Sequence, residues 1–470
     1  MLVLGIDSST QSTKAVVADA EDGEVLATGK AVHPVGTEVD PWAWWRAARE
    51  AVEQAAADAP GPIEALSVAG QQHGMVALDE AGSPVRDALL WNDTRSAPQA
   101  RALIERYGAA ELAERTGLVP VASFTLTKLA WLAEQEPHHA DRVAQVLLPH
   151  DWVSWLFAGR PQRACTDRGD ASGTGYFAPS TGRWLPELLT EAMGGRTPQL
   201  PDVLGPAESA GRVTGFGSLD GAVIGAGTGD NMAGALGLGA GPGDVVVSLG
   251  TSGTAFAVAE QPGADETGEV AGFCDATGRF LPLVCTLNAA RVLTGIAEML
   301  GTDLAGLDRL ALEAQPGAGG LSLLPYLEGE RTPDLPAAAG TLTGLRGANM
   351  TPENLARAAV EGMLCGLADG IESLRRTGVQ VRRVLLIGGA SESAAVRAVA
   401  PSLFGVPVEV PRSAEYVALG AAKQAAWAAS GSAAPPEWPL NSEHCAAEKI
   451  YQGEAVRHAY RTARRQVHGF

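Results

Sequence analysis

Cysteine is scarce in this sequence, with five residues among 470. The five are odd in number, lie far apart and lack the spacing of a metal site, so the pattern argues against a disulfide framework and favours structural thiols. They are Cys165, Cys274, Cys285, Cys365 and Cys445.

Long apolar runs are also missing, and none approaches the length that spans a bilayer. The opening segment Met1–Ile6 is apolar but short, and Asp7 follows it without a basic leader or a cleavage-like site. We therefore expect a cytoplasmic protein with no membrane partner.

Positive charge is under-represented, with 35 Lys and Arg against 54 Asp and Glu and a formal net charge of -19. Such a surface repels nucleic acid and acidic membranes. ATP remains compatible with it, because a divalent metal and backbone amides can carry the charge of the phosphates.

Core-forming residues are plentiful: 46% of the chain is hydrophobic and 19% is charged, as in an ordinary globular protein. A chain of 470 residues is too long for one ordinary core, which predicts two domains. Buried strand patterns alternate with helical patterns in both halves, which indicates an α/β fold with mixed sheets.

A strand, a hydroxyl-rich turn and a second strand occur twice in the sequence. The first set is Leu2–Ile6, Asp7–Thr13 and Ala15–Val17, and the second begins at Val245–Leu249 and turns at Gly250–Thr254. Backbone amides in such turns can bind phosphate oxygens, although a plain exposed hairpin has the same pattern. Because no Gly-Lys-Ser/Thr follows at the required spacing, the pattern excludes a Walker loop.

Several helix boundaries are also readable. Asp40-Pro41 and Thr351-Pro352 each place a capping residue before a proline at the first helical position, and the second helix is predicted to reach Arg376. The apolar strand Val384–Ile387 follows. We predict a surface connector over Ala428–Pro439 and a last amphipathic helix at about 445–467.

Two acidic residues suit phosphoryl transfer, which needs a metal held by carboxylate and a base aimed at the attacking hydroxyl. Asp7 ends the first strand, and Asp230 lies in a glycine-rich segment before Asn231. We predict Asp230 as the general base. Gly-Asp-Asn is also a common turn sequence, and composition alone favours that simpler interpretation.

Three further segments have side chains or backbone suited to ligands. His73 follows Gln72 in a polar loop, and the segment Trp91–Arg95 combines an aromatic face with amide, carboxylate and guanidinium groups suited to a polyol. The turn Gly388–Ser391 would allow an adenine or ribose to approach closely. Each also has a purely structural interpretation: a buried histidine, a polar loop and a strand-to-helix turn.

Seven motifs in order resemble those of the FGGY family of carbohydrate kinases over nearly the whole chain. They are Gly5–Ser12, Gly70–Gly74, Trp91–Arg95, Thr166–Asp167 with Asp170–Thr174, Gly229–Asn231, Ser248–Gly253 and Gly329–Pro333. The resemblance implies an actin-like ATPase (ribonuclease H-like) fold, with two mixed-sheet domains flanked by helices and a cleft between them. The expected domains are 1–241 for sugar and phosphate and 242–470 for nucleotide.

The resemblance also implies roles for particular residues. Asp230 would be the base, Asp7 and Asp230 would hold Mg²⁺, and the other contacts would be divided between sugar and ATP. The expected sugar contacts are Gln72, His73, Trp91, Asn92 and Asn231, and the expected ATP contacts are Thr10, Ser12, Thr13, Gly250, Thr251, Gly388, Gly389, Ala390 and Ser391.

The implied reaction is ATP-dependent phosphorylation of the terminal hydroxyl of a ketopentose, with D-xylulose the expected acceptor and a homodimer possible.

Two positions depart from the family pattern. Gln72 stands where members acting on D-xylulose often have methionine, and Ala390 replaces the third glycine of the adenine loop, with Glu392 where a basic residue is common. Ribulose, glycerol and gluconate remain alternative acceptors, and a non-catalytic actin-like ATP-binding protein is the alternative from another class.

Overall fold

A computed structural model gives the fold, and it describes residues 1–446 and 453–470. Strands within these residues run as follows: β1 (Leu2–Ser8), β2 (Ser12–Asp19), β3 (Val25–Val32), β4 (Glu38–Val39), β5 (Ile63–Gly70), β6 (Val76–Leu78), β7 (Ala88–Leu89), β8 (Gln145–Leu147), β9 (Cys165–Asp167), β10 (Phe177–Ala178), β11 (Arg183–Trp184), β12 (Asp202–Leu204), β13 (Ser209–Arg212), β14 (Val223–Gly225), β15 (Thr228–Gly229), β16 (Asp244–Leu249), β17 (Gly253–Ala257), β18 (Ala271–Cys274), β19 (Phe280–Thr286), β20 (Ser322–Leu324), β21 (Thr341–Thr343), β22 (Arg383–Ile387), β23 (Val408–Pro411) and β24 (Ser442–His444).

The α-helices of the same residues run as follows: α1 (Pro41–Ala57), α2 (Ala97–Tyr107), α3 (Ala109–Thr116), α4 (Thr125–Gln135), α5 (Pro137–Ala140), α6 (Pro149–Phe157), α7 (Arg168–Ala171), α8 (Pro186–Ala192), α9 (Asp230–Gly237), α10 (Ala290–Met299), α11 (Leu304–Glu313), α12 (Pro352–Arg376), α13 (Ala394–Phe404), α14 (Tyr416–Ser430) and α15 (Gly453–His468). None of those within the described ranges combines the length and the apolar character that a membrane-spanning helix needs.

The chain forms two compact units, and neither is one continuous segment. The first unit comprises Met1–Ala240, Glu260–Leu281 and Ala414–Pro439. The second comprises Gly241–Ala259, Pro282–Ser413 and the described residues of Leu440–Phe470. The helix α14 therefore belongs to the first unit although it follows most of the second in sequence.

The first unit is built on a mixed sheet in the order β13, β14, β5, β1, β2, β3, with β15 also beside β5. Strands β1, β14 and β15 run parallel to β5, and β2 and β3 are antiparallel. Because side chains alternate along a strand, Leu4 and Ile6 pack with Trp44 of α1, whereas Val3 packs with Ala422 of α14. Helices therefore cover both faces, which explains the unbroken apolar run of β1.

The second unit has its own mixed sheet, with β19, β17, β16, β22, β23 and β24 in that order. Strands β16, β22 and β23 are parallel, and β17, β19 and β24 run antiparallel to their neighbours. The buried helix α12 begins as predicted, because the Thr351 hydroxyl accepts a hydrogen bond from Asn354 N at 3.3 Å. The predicted α/β class with two mixed sheets and covering helices is confirmed.

Three local predictions differ from the structure. Both strands of the first hairpin are longer than expected and leave only residues 9–11 as its tip. The predicted connector over Ala428–Pro439 begins with the last turn of α14, and Trp438 donates its indole N–H to Ala20 O at 3.1 Å. The last helix begins at Gly453, residues 445–446 are not helical, and residues 447–452 of that prediction lie outside the described part of the chain.

Candidate active site

The predicted catalytic residues of the first unit lie at one edge of its sheet. Strand β5 pairs in parallel with β1 on one side and with β15 on the other, so that both Asp7 and Thr228 are aligned with Ala69. Parallel strands end at the same edge, so the loops that follow β1, β5 and β15 emerge together. This topology brings Asp7, the loop 71–74 and Asp230 to one place.

Asp7 is a buried carboxylate held by its own hairpin. Its side chain is 3% exposed and accepts a hydrogen bond from the Ser9 hydroxyl. Burial raises the pKa of Asp7 to about 6, against the opposing effects of the Ser9 hydrogen bond and the positive charge of Lys14. Lys14 in turn forms an ion pair with Glu415 at 2.5 Å. Such a buried carboxylate is poised to accept a cation.

Asp230 is the first residue of α9 and is half-buried. Its Oδ1 accepts hydrogen bonds from the backbone N–H of Asn231 at 2.8 Å and from Asn231 Nδ2 at 2.9 Å. Desolvation and the nearby charge of Asp7 raise the pKa of Asp230 to about 7. A carboxylate with that proton affinity is suited to accept a proton from a hydroxyl near neutral pH.

Gln72 extends the polar cluster at Asp230. Its Oε1 accepts a hydrogen bond from Asn231 Nδ2 at 3.2 Å, while its Nε2 is buried and has no hydrogen-bond partner among residues 1–446 and 453–470. Buried donors are almost always paired in folded proteins. An unpaired amide N–H beside the predicted base is therefore suited to donate to a hydroxyl of an acceptor.

The arrangement of Asp7 and Asp230 fits Mg²⁺. The nearby charge of Asp7 contributes to the raised pKa of Asp230, and a divalent cation would relieve that repulsion. Within the described residues no group of three or more His, Cys, Asp or Glu side chains is arranged to bind a metal. Mg²⁺ fits this limited donor set, because it is commonly bound by one or two carboxylates, with water and phosphate oxygens completing its shell.

The hairpin tip and the loop 91–95 are joined by hydrogen bonds. Trp91 Nε1 donates to Thr10 Oγ1 at 2.9 Å, and Thr10 Oγ1 donates to Gln71 Oε1 at 3.4 Å. Thr10 was predicted to contact ATP and Trp91 to contact sugar, and the structure brings the two side chains together. Asn92, the next predicted sugar contact, is exposed.

Ser12 and Thr13 lie within β2 rather than in the turn. Thr13 is fully buried and its hydroxyl is 2.8 Å from His33 Nε2. The expected hydroxyl-rich tip is therefore reduced to residues 9–11, because the strand pairing of β1 with β2 extends to Ser8 and Thr13. The assignment of Ser12 and Thr13 to phosphate binding stays a prediction.

His73 lies in the loop after β5 and is 9% exposed. Its ring packs edge-on against Phe124, with centroids 5.0 Å apart, and its Nδ1 is 2.9 Å from Gly173 O. Its backbone has φ 68, in the left-handed region that non-glycine residues rarely adopt. Such conformations cluster at functional sites and persist only where the surroundings impose them.

A buried charged cluster beneath the Asp230 loop was missed by the sequence analysis. His150 is fully buried, with Nδ1 2.7 Å from Asp170 Oδ2 and Nε2 3.1 Å from Asp151 Oδ1. Asp167 accepts a hydrogen bond at 2.7 Å from Thr228, two residues before Asp230. Only the motif containing Asp167 and Asp170 was visible in the sequence, because His150 is separated from it along the chain.

The charge of His150 offsets its acidic neighbours. Burial alone would lower the pKa of His150, but the charges of Asp151, Asp170 and Asp167 outweigh it and raise the pKa to about 9. At pH values below the ordinary pKa of histidine, the charged His150 ring contributes its full stabilisation of the folded state. That contribution is lost as the pH rises through about 9, the pKa of His150 in the folded protein.

We expect the change His150→Asn to lower the free energy of unfolding by roughly 3 kcal/mol at pH 7, because it leaves buried carboxylates uncompensated. Urea unfolding at pH 7 and pH 10 measures this, and the difference from wild type should shrink at pH 10. The matched change His139→Asn alters a partly exposed histidine next to Glu136 and should have little effect at either pH. An equal loss for His150→Asn at both pH values would contradict a charged His150.

In the second unit, two predicted nucleotide turns also leave neighbouring parallel strands at one edge. Strands β16 and β22 are paired so that Ser248 faces Ile387, and the turns 250–252 and 388–391 follow them. Gly388 has φ 89, and an added Cβ would lie 2.7 Å from the Leu249 carbonyl, so the backbone there tolerates only glycine. Gly250 and Thr251 are exposed, with carbonyls that accept hydrogen bonds from Ala290 N at 2.9 Å and from Ala289 N at 3.2 Å.

The turn after β22 is a short 3₁₀ segment, Gly389–Glu392. Ser391 donates its hydroxyl to Gly388 O at 2.7 Å, and Arg397 Nε donates to Ser391 O at 2.7 Å. Gly389 is exposed and Ala390 is half-buried, so the turn presents backbone rather than bulky side chains. Glu392 pairs with Arg397 at 2.8 Å, which offsets the acidic departure from the family pattern.

Comparison with known proteins identifies the family of this chain. The chain matches the FGGY family of carbohydrate kinases, with its N-terminal domain over residues 2–237 and its C-terminal domain over residues 245–429. The xylulose kinases of Streptomyces coelicolor and Streptomyces rubiginosus are each 48% identical over 439 residues, which is 92% of this chain and 88% of theirs.

A solved structure extends the comparison to the fold. The crystal structure of xylulose kinase from Bifidobacterium adolescentis is 44% identical, with a TM-score of 0.90 over 99% of each chain. This likeness confirms the predicted actin-like ATPase fold. The chain belongs to the FGGY family of carbohydrate kinases, enzymes that transfer a phosphoryl group from ATP to a sugar or polyol.

Proposed function

We propose that this kinase phosphorylates the terminal hydroxyl of D-xylulose with ATP, giving D-xylulose 5-phosphate and ADP. The observation that carries the proposal is Asp230, a half-buried carboxylate whose pKa is raised to about 7 by burial and by Asp7. The names of the relatives that are 48% identical to this chain favour D-xylulose as the acceptor.

In the proposed reaction, Asp230 accepts the proton of the acceptor hydroxyl. The hydroxyl oxygen then forms a bond to the γ-phosphorus, the bond from that phosphorus to the bridging oxygen breaks, and ADP leaves with the electron pair. The hydrogen bonds from Asn231 hold Oδ1 of Asp230 in place, and the other carboxylate oxygen is the one proposed to face the acceptor.

Asp7 and Asp230 would hold Mg²⁺, which when bound supplies positive charge that neutralises the triphosphate. Asp7 is fixed for this role by Ser9 and by the pairing of β1 with β2. Thr10, Ser12 and Thr13 are proposed phosphate contacts from the same hairpin. In the second unit, Gly250, Thr251 and the turn Gly388–Ser391 are proposed contacts for ATP.

The acceptor would be bound by the loops that follow β5 and β7. Gln72 Nε2 has a free hydrogen-bonding capacity, Asn231 donates to its Oε1, and His73 is the next residue along the loop. Trp91 offers an apolar face. Asn92 is exposed, so it would bind only an acceptor that extends to the solvent-exposed part of the loop 91–95. Gln72 in place of methionine would add an amide donor to the acceptor site.

A panel of acceptors tests the proposal. We expect kcat/KM for D-xylulose to exceed that for D-ribulose, L-ribulose, glycerol and D-gluconate by about 10-fold or more, since a site that donates to specific hydroxyls discriminates strongly. A coupled ADP assay with mass detection of the phosphorylated product measures this. Faster turnover of glycerol or gluconate would identify that compound as the acceptor in place of D-xylulose. ATP hydrolysis without a phosphorylated product would contradict sugar kinase activity.

A homodimer and a cytoplasmic location remain predictions for this kinase. Sedimentation velocity of the purified chain with and without D-xylulose tests the first, and fractionation of the source cells tests the second.

A further inference from the structure

The loop that follows β5 contains a non-glycine residue in a conformation that costs free energy. His73 has φ 68. Left-handed backbone is unfavourable for an L-residue, so neighbouring groups must hold His73 there. Identifying those groups shows what positions the imidazole.

Two side chains of α4 bind the His73 carbonyl. Lys128 Nζ donates to it at 2.8 Å and Thr125 Oγ1 donates to it at 3.3 Å. Both donors lie on the same face of the helix, three residues apart. These two hydrogen bonds therefore fix the direction of the His73 carbonyl from one side of the loop.

Lys128 is unusual because it is fully buried without an ion pair. Its exposed fraction is 0%, its second hydrogen bond goes to Ser123 O, and within the described ranges no carboxylate lies within 4.0 Å of its Nζ. Burial lowers the pKa of Lys128 to about 7, with the charge of Asp93 opposing the change. Burying an ammonium group is costly, so a role in fixing the loop accounts for its presence.

The imidazole of His73 is fixed from the opposite side. Nδ1 lies 2.9 Å from Gly173 O, and a Cβ added at Gly173 would lie 2.6 Å from the ring atoms Nδ1 and Cε1. Phe124 and Phe273 contact the ring at centroid distances of 5.0 and 5.5 Å. The ring therefore has one orientation as long as its backbone is held by α4.

We propose that Lys128 is a positioning residue for the acceptor: its buried side-chain nitrogen holds the His73 backbone in the left-handed conformation, which directs the imidazole into the acceptor site. The inference rests on the proposed function because it assigns His73 to acceptor binding. Lys128 acts through His73 and does not touch the acceptor.

The change Lys128→Met tests this, because methionine fills a similar volume without a charge or a donor. We expect the KM for the acceptor to rise by about 10-fold, the cost of losing a buried hydrogen bond. The KM for ATP should stay within about 2-fold, since no ATP contact is altered. The acceptor is whichever sugar of the panel the wild-type enzyme phosphorylates best, so failure with D-xylulose would overturn the proposed substrate without deciding the role of Lys128.

A double-mutant cycle separates positioning from general structural support. In a His73→Ala background, the further change Lys128→Met should alter the acceptor KM by less than about 2-fold, because the interaction it supports is already gone. The same 10-fold rise in both backgrounds, or equal rises in the KM for ATP and for the acceptor, would overturn the proposal. Binding of the acceptor without ATP, measured by calorimetry, should change in parallel with KM.

Two further comparisons keep the test interpretable if Lys128→Met is poorly folded. Thr125→Val removes only the 3.3 Å hydrogen bond and should raise the acceptor KM by about 3-fold, whereas Thr125→Ser should restore it. The matched control Lys423→Met replaces another buried lysine of the first unit, 4% exposed and next to Trp438, and should leave both KM values unchanged. No change in Thr125→Val, or equal effects in Thr125→Val and Thr125→Ser, would overturn the proposal.

Discussion

Replacing Asp230 with asparagine is expected to lower kcat by about 10³- to 10⁴-fold, because an amide of the same shape cannot accept the proton of the attacking hydroxyl. Alanine at the same position should give a similar loss. The fold should persist, since Asp230 is half-buried at the start of α9 and, among residues 1–446 and 453–470, its carboxylate accepts hydrogen bonds from Asn231. Single-turnover formation of sugar phosphate measures the loss.

ATP binding provides the internal control for Asp230→Asn and Asp230→Ala. Titration with a fluorescent ATP analogue should give dissociation constants close to that of wild type for both variants. The matched change Asp265→Asn alters a half-buried turn carboxylate of the first unit, which accepts hydrogen bonds from Thr267 and Val270, and should retain full activity. If Asp230→Asn kept near-normal turnover, another group would have to be the base.

Replacing Asp7 with asparagine is expected to lower kcat by about 10²- to 10³-fold, since phosphoryl transfer depends on electrostatic stabilisation of the charge on the phosphates. Asparagine preserves the acceptor for the Ser9 hydroxyl but removes the negative charge that would attract Mg²⁺. The Mg²⁺ concentration for half-maximal activity should rise along with the loss in kcat. Initial rates over a range of Mg²⁺ at saturating ATP measure both quantities.

The opposite end of the same hairpin supplies the control for Asp7→Asn. Asp19 ends β2 and accepts a hydrogen bond from the Glu21 backbone at 2.8 Å, so Asp19→Asn alters a hairpin carboxylate without altering the site. Its activity and Mg²⁺ dependence should equal those of wild type. If Asp7→Asn lowered kcat with an unchanged Mg²⁺ requirement, Asp7 would act on the phosphates without holding the metal.

Local sequence signals predicted the elements whose ends are set by neighbouring residues. Asp40 caps α1 by accepting a hydrogen bond from Trp42 N at 3.0 Å, and Thr351 caps α12, because capping depends on side chains within three residues. The first hairpin was predicted from adjacent apolar runs, although its strands proved longer, since inter-strand hydrogen bonds continue as far as the register allows.

The network behind the site was not predictable, because its members are distant in sequence. Lys128 contacts the His73 carbonyl from 55 positions away, and His150 contacts Asp170 from 20 positions away. A lysine in a helix is usually solvated, and nothing adjacent to Lys128 marks it as buried. Burial of a charged group is decided by the elements that surround it, and these come from separate segments.

The sequence by itself determined the α/β class, the two hairpins and the pairing of an acidic residue with a hydroxyl-rich turn, because these depend on residues close together in the chain. The tertiary structure alone decided that α14 joins the first unit, where Gln424 accepts a hydrogen bond from Ser67 at 2.6 Å and donates one to Gly227 O at 3.0 Å. It also decided that Asp7 and Asp230 share one sheet edge. The parallel pairing of β1 and β15 with β5 brings them together, and the free energy of that pairing comes from strands far apart in sequence.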